Sequence, residues 1–583
     1  MSLWPRIEPL LYDVRAPSQY VGGEWNSIRK DAGTKVCFAY PDAYTIGMSH
    51  LGLQIFYGMI NARPDALCER AFCPWPDFEA RMRANDVPLF SVESHRPVRE
   101  FDIVAISLQT ELSYTNILNL LDLSRIPMLA AERGRDDPLV VGGGPSSSYP
   151  EPIADFFDLL IVGDGEETFN AFLDLYGGLK GAPRDEILRA AVERVPGAYA
   201  PSLWSMQYDG QRLAKISPDR RVTKASTDDF EHSFYPTAPI VPFAEAVFDR
   251  VNIELMRGCP HRCRFCHAVS FKNKLRFRSV ETLMAHAEST YAATGFDEIA
   301  LTSLSSGDYP HIRELCGRLL ARFKSRAVNV SLPSLRVDAK LRELPSLIKH
   351  WRKSGFTIAP EAGTESLRRV IRKPIKDEDM FETARAAFRE GWRHIKLYFM
   401  IGHPNETPAD LEGIVETAKR CSEVGKEEMG KRAQVNVTIS PFVPKPHTPF
   451  QFRGQRDFEY LDEAVKLLKD RARGTRVMLK THSPRSNYLE AVLSRGDRRV
   501  GRVVAEAYRL GCKFDEWREY FDFDKWMQAF SNVGLDPDYY ARRDIGEHEV
   551  LPWDMIDVGT SRDYLWKELQ FCDESHKERM HGS

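Results

Sequence analysis

The sequence predicts an α/β protein built from a doubly wound, Rossmann-like sheet, an open partial (β/α)6 barrel of TIM type, and a mostly helical C-terminal region. Three observations carry that expectation. Short apolar runs closed by Gly, Pro or Asp alternate with helix-spaced apolar segments over residues 31–195, a second alternation of the same kind fills 251–445, and beyond 456 the strand-like runs stop. At 583 residues the chain exceeds what one hydrophobic core serves, so several domains are expected.

Residues 1–30 show no clear period and form an N-terminal extension. The runs "KVCFAY", "FDIVAISL", "PLVVGGG" and "DLLIVGDG" are apolar on both faces, as buried parallel strands are. Between them "MSHLGLQIFYGMI" and "ELSYTNILNLLDL" repeat apolar residues at helical spacing, which gives a doubly wound domain over 31–195. Such sheets take ligands at their strand ends, here "DAYTIG" (42–47), "SLQ" (107–109), "GGGP" (142–145) and "GDGEE" (163–167). Residues 196–245 are polar and irregular and read as an interdomain connection.

The second domain spans 246–455, with strands "NIELM", "EIALTSL", "VNVSL", "FTIAP", "HIKLYFM" and "VNVTIS". Helices are expected at 279–294, 308–325, 338–349, 364–390 and 407–425, the last opening on a capping box of Thr407 and Asp410. Six units are too few for an eight-fold barrel, so the barrel is partial. Residues 456–583 read as helical, with "YLDEAVKLLKDRAR" and a Trp- and Tyr-rich stretch at 517–540.

Apolar content of 43% and charged content of 28% describe an ordinary globular protein, and a net charge of −3 argues against wholesale attraction to nucleic acid. The start "MSLWPRIEPLLYDV" lacks the basic and apolar blocks of a leader, and no apolar run approaches the ~20 residues that span a bilayer. Ten cysteines over this length are not a disulfide framework, so a reducing cytoplasm with no membrane partner is expected.

Three of those cysteines crowd into "RGCPHRCRFCHA" (257–268), as Cys259, Cys263 and Cys266, directly after the first barrel strand where such folds build their active face. Three thiolates suit an iron–sulfur cluster or zinc. Zinc needs a fourth ligand, and His267 adjoins Cys266 too closely to reach the same tetrahedral ion. Three thiolates on a four-iron cluster leave one iron open to chelate a substrate or cofactor. A loop of unbound thiols is the bland alternative. Cys37, Cys316 and Cys421 continue apolar faces, while Cys68 and Cys73 have no partner ligand nearby in sequence; these are structural, and Cys572 stands alone in "FCDESHKERMHGS", so no second cluster is expected.

Cys-x3-Cys-x-aromatic-Cys after the first strand of a six-stranded partial barrel resembles the radical S-adenosylmethionine (SAM) superfamily, over residues 251–445. The resemblance implies a [4Fe-4S] cluster on Cys259, Cys263 and Cys266, whose open iron binds SAM and cleaves it reductively to a 5′-deoxyadenosyl radical. It places Phe265 against the SAM adenine. "SLSSGDY" (303–309) stands where the family shows a Gly-Gly-Glu-type loop, making Ser305, Ser306 and Asp308 substitutes for the groups that bind the SAM amine. "PEAG" (360–363) offers Glu361 to the SAM ribose, and "LYFMIGHPNET" (397–407) is similar to the segment flanking the adenine. Arg372 and Lys373 could neutralise the SAM carboxylate or form a solvated helix end.

The strand ends of the first domain resemble the cobalamin-binding domain fused ahead of such barrels. That resemblance implies cobalamin contacts at Tyr44, Gly47, Ser107, Gly143, Gly144 and Gly163, with Tyr44 standing where the pattern has a cobalt-binding histidine. The alternative is a degenerate Rossmann-like domain that serves recognition or assembly.

The chain therefore reads as a radical SAM enzyme that methylates an unactivated carbon with cobalamin. The substrate would be a small molecule, peptide or RNA, and a flavodoxin or ferredoxin would donate electrons. Competing readings are a radical SAM enzyme without cobalamin, performing rearrangement, oxidation or sulfur insertion, and a zinc-stabilised scaffold or nucleic-acid-binding module. The arginine-rich stretch 471–502 reads as a solvated face or an RNA contact, and "KPHTP" (445–449) as a turn whose Lys and His face the barrel mouth.

Overall fold

The apolar runs of the first domain become parallel strands covered on both faces. The computed structural model describes residues 2–332 and 355–581, so the helix expected at 338–349 lies outside the described residues. Strands β1 (Thr34–Tyr40), β2 (Ala66–Phe72), β3 (Ile103–Ser107), β4 (Leu139–Gly143), β5 (Leu159–Ile161) and β6 (Ala198–Tyr199) form one sheet in the order 2-1-3-4-5-6. All neighbours are parallel except β5 and β6. Helices α1 (Tyr44–Met48), α2 (Leu51–Ala62), α3 (Tyr114–Leu123) and α4 (Glu166–Leu179) follow its strand ends.

Strand β2 is the element that apolar alternation misses. Its sequence "ALCERAF" carries Glu69 and Arg70, yet all seven residues are buried. The Arg70 guanidinium pairs with Glu24 at 2.7 Å and Glu93 at 2.6 Å, so the charges enter the core already neutralised. The connection at 196–245 holds a hairpin of Ser205–Asp209 with Arg212–Ser217. Its Val222–Thr223 pairs with Ile556–Asp557, which returns the end of the chain to this region.

Among the described residues, seven parallel strands follow the connection, the six expected within 246–455 and one more beyond it. Strands β7 (Val251–Glu254), β8 (Glu298–Thr302) and β9 (Asn329–Ser331) form one sheet. Strands β10 (Phe356–Glu361), β11 (His394–Ile401), β12 (Gln434–Pro441) and β13 (Val477–Thr481) form another. Strand β13 comes from the arginine-rich stretch, where "RVMLKTH" buries Val477 against β12 and leaves its charged positions outward. Helices α5 (Val280–Thr294), α6 (Ile312–Phe323), α7 (Asp377–Arg389), α8 (Pro408–Met429) and α9 (Phe458–Ala472) pack outside these strands. Thr407 and Asp410 make the full capping box at the start of α8. Helices α10 (Pro484–Arg495) and α11 (Arg562–His581) lie in the C-terminal region, with helices Val500–Arg509, Phe523–Val533 and Pro537–Ala541 between them.

The remaining arginines of 471–502 are largely engaged within the protein. Arg498 binds Glu151 at 2.8 Å, Arg499 binds Asp497 at 2.7 Å, and buried Arg495 donates to Ala541 O at 2.9 Å. Residues 445–449 do not face open solvent at the mouth. Lys445 pairs with Glu111 at 2.5 Å and Glu490 at 2.8 Å, and His447 Nε2 donates to Ser148 O at 2.8 Å, which fastens the second domain to the first. Among the described residues no helix is long and apolar enough to cross a membrane.

Candidate functional site

The cysteine loop is pinned at its base. Met256–Arg257 pairs antiparallel with Arg276–Phe277, so the chain leaves and returns at one place. Gly258 has φ +94°, and a Cβ there would meet Lys274 O at 2.4 Å, so the residue before Cys259 has to be glycine. Cys259, Cys263 and Cys266 are partly buried thiols lining one cavity of about 480 Å³, with His261, Ser270, Thr560, Ser561 and Tyr564 among its other walls. Burial pushes the Cys266 thiol up to about 11, and the neighbouring Cys263 and Cys259 add repulsion. A metal bound here must therefore displace protons.

Three soft thiol donors on the wall of one cavity fit an iron–sulfur cluster. A cluster spreads its thiolates over several irons.

Next to the loop, His261 Nε2 meets Asp308 Oδ2 at 2.7 Å, and Ser305 Oγ donates to the same oxygen at 2.6 Å. The structure thus joins the Ser305 and Asp308 loop to the cysteine loop. Ser306 is wholly buried and its Oγ donates to Leu301 O at 3.0 Å, which holds the turn rather than reaching a ligand. Glu361, at φ +71°, accepts from Lys373 Nζ at 2.9 Å, and that ammonium lies 6.0 Å from the Phe265 ring centre. Arg372 instead turns to Glu568 at 3.0 Å and the Tyr564 hydroxyl at 3.3 Å.

A second cavity, of about 530 Å³, opens between the strand ends of the two domains. Ser107, Gly143, Gly144 and Gly163 line it from the first sheet, and Asn252, Arg257, Gly258 and Thr302 from the second. Tyr44 and Gly47 do not reach it. The Tyr44 hydroxyl donates to Glu24 Oε1 at 2.7 Å and its ring packs on Phe72, because α1 turns this residue toward the buried Arg70 pairs. A Cβ on Gly47 would strike Phe72 Cε1 at 2.4 Å, so this glycine serves helix-to-sheet packing.

The imidazole lining the cavity is His50, which sequence reasoning passed over. Burial pushes it down to about 4, so it is neutral, and its Nδ1 has no hydrogen-bond partner. The available signal was a histidine just ahead of the apolar helix "LGLQIF" at a strand-end position. Bare glycine backbone, which lets a flat macrocycle approach closely, and a neutral imidazole are groups that fit a corrinoid.

Asp164, also missed, joins the cavities electrically. It accepts from Lys272 at 2.6 Å and Arg276 at 2.6 Å and lies 3.4 Å from Arg257, while Glu166 takes Arg257 at 2.7 Å. Burial alone would raise its pKa, but Lys272, Arg257 and Arg276 outweigh that and hold the carboxyl well below the usual range.

The segment after β11 contains a titration of opposite sign. Burial pushes Glu406 up to about 7, although the Tyr460 hydroxyl and Gly402 N–H both donate to it. Unfolded glutamate ionises near ~4.3, so the folded state binds the extra proton between those values and stability falls as pH rises through that window. Glu406→Gln should flatten the dependence of melting temperature on pH between about 4 and 7.

Comparison with known proteins adds four findings. Residues 52–201 match the family model for the N-terminal region of radical SAM proteins, and residues 253–418 match that of the radical SAM superfamily. A Methanocaldococcus jannaschii protein described as uncharacterised is 26% identical over 509 residues, covering 86% of this chain and 97% of that one. The ribosomal protein uS12 methylthiotransferase RimO of Thermus thermophilus is 24% identical over 236 residues, covering 37% of this chain and 52% of its own length. The structure of the radical SAM methyltransferase TsrM from Kitasatospora setae, with tryptophan and a SAM analogue bound, is 13% identical with a TM-score of 0.47, covering 86% of this chain and 100% of that one.

Proposed function

The chain belongs to the radical SAM superfamily, and we propose that it cleaves S-adenosylmethionine reductively to a 5′-deoxyadenosyl radical and methylates an unactivated carbon with the help of cobalamin. The observation carrying this reading is a shared wall: Arg257 and Gly258 line the interdomain cavity, and Cys259, the next residue, lines the thiol cavity. A group held between the domains thus lies beside the cluster site. In this reading the first sheet is a Rossmann-like, cobalamin-binding-type domain and the seven parallel strands are an open barrel.

Cys259, Cys263 and Cys266 would hold a [4Fe-4S] cluster, which when bound supplies the electron for SAM cleavage. Phe265, Lys373 and Glu361 form one connected set that orients the nucleoside and carboxylate ends of SAM. Asp308 and Ser305 give the amine an acceptor beside the cysteine loop. The glycine ends at 143, 144 and 163, with Ser107 and His50, would seat cobalamin, which supplies the methyl group. The reading further places the enzyme in the cytoplasm, with a flavodoxin or ferredoxin as reductant and a small molecule, peptide or RNA as substrate.

The test is anaerobic reconstitution followed by dithionite and SAM, with 5′-deoxyadenosine as the product measured. Titration with hydroxocobalamin should perturb the cobalt spectrum near one equivalent. Gly143→Val, which puts branched carbon into the cavity wall, should weaken that binding about tenfold, or ~1.4 kcal/mol, while iron content stays unchanged. An unperturbed spectrum with active SAM cleavage favours the second reading, a radical SAM enzyme without cobalamin. The burial of Tyr44 against Glu24 is the observation on its side.

A further inference from the structure

The family matches end at residue 418, and they leave the function of α11 unassigned. This helix nevertheless contacts the segments that follow four strands of the second domain. Glu568 takes Arg264 after β7 and Arg372 after β10, Arg579 takes Asp410 after β11, and Asp573 takes Arg453 after β12. Those segments form the face where the cysteines lie.

The contact at Arg264 matters most, because this residue sits between Cys263 and Cys266. Its side chain is 6% exposed, with Nε on Glu568 at 2.8 Å, Nη1 on Val370 O at 2.5 Å, and the Phe571 ring 4.8 Å from the guanidinium. Its backbone N–H donates to Ile371 O at 3.0 Å. Glu568 is the carboxylate paired with this guanidinium, and it ties the cysteine loop and the Arg372 turn together through its two oxygens. Thr560, Ser561, Tyr564, Leu565 and Glu568 line the thiol cavity itself.

We infer that the C-terminal helix is the outer wall of the cluster cavity and that Glu568 is a positioning residue, holding the cysteine loop in its ligating shape through Arg264. The inference rests on the reading that the three thiols carry a cluster. Its physical basis is that a buried guanidinium deprived of its counter-charge rearranges or draws in water, and either shifts the thiols on both sides. Groups that orient metal ligands are worth about 10–100-fold in metal retention.

The test follows iron release from the anaerobically reconstituted full-length protein into an excess of a ferrous chelator, read from the decay of visible absorbance. Glu568→Gln should release iron about tenfold faster than the parent and lower the melting temperature of the iron-loaded protein more than that of the iron-free protein, and Glu568→Asp should restore most of the retention. Release from Glu568→Gln at the parent rate overturns the inference while leaving the cluster reading intact. So does an equal loss of melting temperature with and without iron that Glu568→Asp fails to rescue, since that marks ordinary packing. A parent protein that takes up no iron overturns the cluster reading and this inference together.

Discussion

Cys263→Ala removes the iron–sulfur absorbance of the reconstituted protein and lowers 5′-deoxyadenosine formation at least about 100-fold. Cys263 is the middle thiol of the three proposed as ligands, and the described residues place no additional cysteine on the wall of that cavity. Losing one thiolate therefore leaves two protein ligands for about four irons, too few to hold the cluster. The parent should carry about four irons and four sulfides per chain. Cys316→Ser is the control, since that thiol is wholly buried in the α6 face among Ile312, Leu315 and Leu319 and should leave the iron count unchanged. Full iron and full cleavage in Cys263→Ala would show that the loop is not the cluster site.

The sequence made the thiol site legible because its chemistry is local. Three thiols, the glycine that lets the loop turn, and the neighbouring aromatic all fall within 258–266. Strands β1, β3, β4 and β5 were legible for a similar reason, since doubly covered strands are continuous apolar runs. What stayed hidden depends on long-range pairing. Arg70 disguised β2 because its partners Glu24 and Glu93 lie 46 and 23 residues away. Strand β13 was masked by the cations around Val477, whose burial only the pairing with β12 reveals. His50 and Asp164 were missed because one sits outside the expected motif and the other is defined by cations about a hundred residues downstream. Tyr44 shows the reverse error: its position in a motif pointed to the cavity, but a five-residue helix rotated it to an ion pair under the sheet.

Asp164→Asn should destabilise the protein by ~3–5 kcal/mol and loosen the junction between the two domains. Asp164 is 5% exposed, and Arg257 and Arg276 beside it are each 8% exposed, so removing the carboxylate strands buried cations. Amide replacement preserves shape, which isolates the charge as the cause. The pH dependence gives an independent check. Because the folded pKa is depressed below the unfolded value of about 3.9, the stabilisation is fully present above that value and is lost as pH falls through the folded pKa. The parent should therefore lose this increment only in acid, whereas Asp164→Asn should lack it at neutral pH and show a shallower acid decline. Two-probe unfolding, following tryptophan fluorescence and the visible absorbance of the reconstituted cluster, should show the cluster signal falling first in the variant, since Arg257 adjoins the cysteine loop. Equal stability at pH 7 with coincident transitions would mean that Glu166 and Glu254 already neutralise the arginine, leaving Asp164 no part in holding the cluster site against the first domain.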